Sequence, residues 1–146
     1  MYAGRVRQKL LQGRELKKVR VFRVEHKIDG NGPYIEADGS LNWNVGGLHD
    51  AHQHSDKHPG PRTDGLDWAL YYWHSFGFPH RPASDWWFKN FKQKLHRAGY
   101  VVNVYECNEE DVVTSTSRKQ CIFEKKKAKL VDTQSVIGYS KYYQTN

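Results

Sequence analysis

The chain carries His49, His52, His54 and His58 close together in one stretch, with Asp50 and Asp56 among them. Imidazole nitrogens with a carboxylate as a fourth donor would suit zinc, copper or nickel. The spacing matches none of the strong zinc patterns, and Cys107 and Cys121 are both distant. The expected reading is therefore solvent-exposed loop histidines, or one of them touching a ligand, rather than a metal centre.

Thr114–Ser117 offers a run of hydroxyls. No acid or base is fixed relative to it by spacing, so a polar turn between two strands explains it. There is no GxSxG elbow, no P-loop and no GxGxxG after a strand. Serine hydrolase, P-loop nucleotidase and dinucleotide dehydrogenase readings fall away. What remains are polar residues at the ends of apolar runs: Arg23, Glu25 and His26 close VRVFRVEH, and Gln120 opens QCIF.

Those residues must be held by elements, and the clearest lie between Phe76 and Glu106. FGF reads as a strand, and Pro79 and Pro82 interrupt the backbone after it. Ser84 is placed to cap a helix, with Asp85 favourable in its first turn. Phe88, Phe91, Leu95 and Ala98 then share one face of a helix over 83–98, and Gly99 ends it. Residues 100–105 are β-branched or aromatic and predict a strand.

Residues 19–25 predict the first strand, with a slight break in its alternation. Residues 29–33 have turn chemistry. Residues 39–65 lack periodicity, and a loop of that length is usually functional or mobile. Residues 66–74 have helical spacing. Short strands are expected at 111–113, 120–123 and 128–131. Residues 1–18 form a basic arm or short helix, and 19–146 form a single mixed α+β domain.

The 146 residues suffice to bury a core, and 5 Trp, 9 Tyr and 6 Phe supply much of it. Lys and Arg number 23 against 16 Asp and Glu, giving a net charge of +7. The excess concentrates at 5–23, 89–97 and 118–129, which favours an acidic partner (nucleic acid, an acidic protein or a phosphorylated small molecule) or else a solvated basic surface. Both cysteines fall in expected strands and read as buried free thiols. No signal peptide or membrane span is visible, so a cytoplasmic location, in a bacterium or an infected host cell, is expected.

The order of elements resembles an ADP-ribosyltransferase-like domain. In that superfamily the first strand carries an aromatic followed by Arg or His, and here it reads Phe22-Arg23-Val24-Glu25-His26. Phe76-Gly77-Phe78 leads into a helix, and Gln120-Cys121-Ile122-Phe123 matches the late strand that faces the nicotinamide ribose. The chain is also similar to small phage and bacterial proteins with FRVEH, a following GPY (Gly32-Pro33-Tyr34) and a closing QxxF.

The resemblance implies two small antiparallel sheets around an NAD-type cleft with one main helix. NAD would be the cofactor. Arg23 or His26 would hold its adenosine ribose or pyrophosphate, and Tyr34 with Tyr71 or Tyr72 would stack on the nicotinamide. His80 and Arg81 would stand at the mouth. Gln120 would fix the nicotinamide ribose, with His26 beside it in the catalytic set, and the histidine loop would cover the cleft or meet the acceptor. The family's usual glutamate is replaced by Gln120, and its Ser or Tyr after the middle strand by Pro79-His80-Arg81. An amide cannot supply the negative charge that stabilises an oxocarbenium ion.

The implied activity is transfer of ADP-ribose to a nucleic-acid or protein acceptor. Two further readings stand beside it. One is a non-catalytic binding protein, such as a phage-encoded inhibitor of a host defence factor, anchored by Trp43, Trp68, Trp73 and Trp86. The other is a nucleic-acid-binding module that stacks bases on aromatic rings.

Overall fold

The computed structural model describes residues 17–36, 40–52, 57–66 and 74–138. Residues 67–73 of the helix expected at 66–74, and residues 1–16 of the N-terminal arm, lie outside them. The described residues form an α+β domain of two three-stranded antiparallel sheets and a few short helices. The first sheet holds β1 (Lys18–His26), β3 (Tyr100–Asn108) and β6 (Lys129–Ser135), with β3 in the centre. The second holds β2 (Ser75–Gly77), β5 (Cys121–Phe123) and β4 (Val112–Thr114), with β5 in the centre.

Strand alternation explains how the sheets are used. Phe22, Val24 and His26 pair with Val104, Val102 and Tyr100, and all six share one face of the first sheet. On that face Val24, Tyr100 and Val102 pack with Trp87, Phe88, Phe91 and Leu95. The opposite face carries Val21, Tyr105 and Cys107, which meet Cys121 and Phe123 of the second sheet. β1 is covered on both sides, so its apolar residues fall on both, which accounts for the broken alternation in the sequence.

The sheets are joined where Phe22 and Phe78 exchange backbone hydrogen bonds of 2.9 and 2.7 Å. Gly77 permits this approach. A Cβ there would lie 2.5 Å from Val21 Cγ1 and 3.2 Å from the Phe22 carbonyl oxygen.

The main helix differs from expectation at its start and its middle. His80, not Ser84, is the N-cap: its Nδ1 accepts from the Ala83 amide at 3.2 Å. Pro82, an expected interruption, sits in the first turn of the helix, whose amides lack intrahelical partners. The single helix expected over 83–98 is two: α2 (Arg81–Trp87) and α3 (Lys92–Arg97), preceded in the chain by the short α1 (Leu48–Ala51). Between them Lys89 and Phe91 donate to Trp86 and Phe88 in tight turns. Trp87, Phe88 and Phe91 are all buried. Adjacent residues on a straight helix point about 100° apart, and the break brings Trp87 and Phe88 into the same core. The turn at Gly99, with φ of 91°, closes α3 as expected.

Candidate functional site

Arg23 and Glu25 lie two residues apart on β1 and point to the face between the sheets. Glu25 is 1% exposed. Its carboxylate accepts from Arg23 Nε at 2.8 Å, Lys125 Nζ at 2.9 Å, Asn103 Nδ2 at 2.6 Å and the Tyr105 hydroxyl. Arg23 Nη1 donates to the Phe76 carbonyl at 2.8 Å. Burial alone would push the Glu25 carboxyl up, but the bonds from Tyr105, Asn103 and Lys125 and the charge of Arg23 hold it below its ordinary value. Burial and the neighbouring carboxylate push the Tyr105 hydroxyl up.

His26 faces the other way. Its ring meets Tyr100 edge-on at 5.3 Å, and Nδ1 accepts from the Ile28 amide at 3.2 Å. Arg23 and His26, the alternatives for holding the adenosine ribose or pyrophosphate, therefore stand on opposite faces of β1.

Gln120 is buried just before β5, one residue short of the strand expected to include it. Its amide donates to the Pro59 carbonyl at 3.0 Å and to Asp64 Oδ2 at 3.1 Å. Asp64 also accepts from the Ser117 amide at 2.8 Å and from the Ser117 hydroxyl at 2.6 Å. Burial opposes its charge, but the Ser117, Gln120 and Ser115 bonds prevail, and its pKa is lowered. The hydroxyl run thus has an acidic partner, Asp64, that spacing did not reveal.

The expected exposure of the loop histidines is corrected for three of them, which pack on aromatic rings. His49 Nε2 bonds the Asn42 carbonyl oxygen at 2.8 Å, and its ring lies 4.5 Å from Trp43. Trp87 Nε1 donates to the Tyr34 hydroxyl at 2.7 Å, and that hydroxyl is also hydrogen-bonded to His52 Nδ1. Burial and the nearby His58 push the His52 pKa down to about 4. Tyr34 stacks on Phe88 at 5.9 Å. His54, Tyr71 and Tyr72 lie outside the described residues.

His58 donates from Nε2 to the Trp87 carbonyl at 3.0 Å. Its ring is stacked on His52 at 3.9 Å and on Trp86 at 5.4 Å, with interplanar angles of 17° and 23°. Trp86 carries this column to the surface. Lys119 Nζ and Lys89 Nζ lie 5.3 and 5.5 Å from its ring centre. A recess of about 270 Å³ adjoins it, lined by His80, Pro82, Ala83, Trp86, Arg118 and Lys119.

His80 thus joins the recess as well as capping α2. Arg81 does not: it is 2% exposed and bonds Asp85, Gln134 and the carbonyls of Ser135 and Val136. That clamp fixes α2 to the end of β6. Trp86 is legible in the sequence as an anchor and 118–129 as basic, but their meeting is not, because the neighbourhood of Trp86 and Lys119 is made by the fold.

Comparison with protein families matches residues 16–137 to the family described as Bacteriophage T4 Y00F protein. No curated protein matches, and no solved structure matches.

Proposed function

The chain belongs to the Bacteriophage T4 Y00F protein family, and we propose that this phage protein acts by binding, holding nucleic acid on its basic, aromatic surface without chemical turnover. The observation that carries this reading is how the polar residues are used. Arg23, Glu25, Arg81 and Gln120 are bonded to other parts of the chain. Trp86, Lys89 and Arg118 are exposed. Phosphates would meet the cations and unpaired bases would meet the rings.

The test is anisotropy of labelled oligonucleotides as salt is raised. Affinity should fall steeply, in proportion to the phosphates neutralised. Absent or salt-insensitive binding overturns the reading.

A second reading keeps the ADP-ribosyltransferase-like resemblance: an NAD-binding protein that transfers ADP-ribose to a nucleic-acid or protein acceptor. Two small antiparallel sheets, with first, middle and late strands in the implied order, favour it. It requires thermal stabilisation by NAD and transfer of label from NAD, lost in Arg23→Ala and Gln120→Ala. Recovery of one stoichiometric host protein, without nucleic-acid binding, would instead support an inhibitor of a host defence factor.

A further inference from the structure

We infer that Trp86 is the outer plate of a stacking column that seats one unpaired nucleobase, with Arg118 and Lys119 placed for the adjoining phosphate. This rests on the nucleic-acid reading and narrows it to single strands.

The column is His52, His58 and Trp86, three rings within 23° of parallel from one to the next. Its inner end is closed: His52 meets Phe91 edge-on at 5.3 Å, and Phe91 is buried. The column reaches the surface at Trp86, which is 37% exposed. A planar ring laid there continues the stack and enters the recess beside Pro82 and Ala83. Every nucleobase has a suitable face, so the seat is tolerant of sequence. A duplex keeps its bases stacked inside and presents none. An acidic peptide could satisfy the cations but would leave the indole face without a matching ring.

Arg118 adds a second observation. Its φ is 63°, in the left-handed region, and it is the one non-glycine residue there among the described residues. Glycine would adopt that turn at lower cost. The chain instead places an arginine in the lining of the recess, and its planar fork suits phosphate. Lys119 and Lys89, both now over the Trp86 ring, would move aside as the base stacks, Lys119 exchanging that contact and its 3.5 Å bond to the Lys57 carbonyl for the phosphate.

The experiment uses the full chain with short single-stranded DNA and RNA oligonucleotides, a duplex of equal length, and polyglutamate. Binding is read by anisotropy for the wild type, Trp86→Ala and Arg118→Gly. At least one single strand should bind more tightly than the duplex, and each substitution should weaken it about tenfold or more. Arg118→Gly should leave the melting temperature unchanged or raised, separating lost binding from lost fold. Single-strand binding unaffected by Trp86→Ala overturns this seat but leaves the broader reading standing. Equal binding of duplex, or of polyglutamate, also overturns the seat. Binding of no nucleic acid in any form overturns both.

Discussion

The side-chain amide of Gln120 is 3.1 Å from Asp64 Oδ2, and it donates to that carboxylate across a gap of 56 residues in sequence. The amide satisfies a buried acid, so a second acid cannot replace it without cost. Gln120→Glu, which restores the residue type expected of an ADP-ribosyltransferase, should destabilise the protein by about 3 kcal/mol through an uncompensated buried charge. Urea denaturation checks this. A variant that stays stable and hydrolyses NAD would favour the enzymatic reading.

Glu25 gathers two cations, an amide and a phenol on one carboxylate. Glu25→Gln should cost about 3 kcal/mol, because Arg23 and Lys125 would keep their charges without the carboxylate. The value is held down by Lys125, whose side chain is 33% exposed. Tyr105→Phe removes one charge-assisted bond and should cost about 2 kcal/mol. Equilibrium unfolding of both variants tests the order.

Acid should destabilise the fold in two stages. The His52 pKa falls from 6.5 to about 4 on folding, so the unfolded chain binds more protons between those values. Stability therefore drops as pH falls through that window. Glu25 and Asp64 have lowered pKa values. Their contribution is present above the ordinary carboxylate range and is lost below it, as pH falls through their folded-state values. Melting temperatures measured across pH should show both stages, and His52→Gln should flatten the first alone.

Gly77→Ala should cost about 2 kcal/mol, within the range for overpacking. The added methyl would meet Val21 Cγ1 at 2.5 Å where the sheets join. Thermal unfolding measures it, and a neutral result would mean that the junction yields more readily than its packing implies.

Much of the scaffold was readable because its signals are local. β1, β2 and β3 follow from alternation and β-branched residues, and Gly99 from its turn. The divided helix was not, since burial of Trp87, Phe88 and Phe91 together is a tertiary demand. The site was less readable still. The bonds between Arg81 and the end of β6, between Gln120 and Asp64, and between Tyr34 and Trp87 each span more than 50 residues. Sequence spacing carries no signal for such meetings. His49, His52 and His58 looked like polar loop residues because nothing nearby in sequence announced the aromatic rings on which they pack.

Cys107 and Cys121 lie buried in the small core between the sheets, both as free thiols. Burial pushes Cys121 up to about 12 and also raises Cys107, so neither offers much thiolate at neutral pH. The protein therefore carries its own gauge of sheet separation. A thiol reagent reaches these sulfurs only when the sheets part, and its rate of consumption counts those openings. Compared with loss of circular dichroism, that rate distinguishes parting of the sheets from unfolding of the whole chain, without any added label.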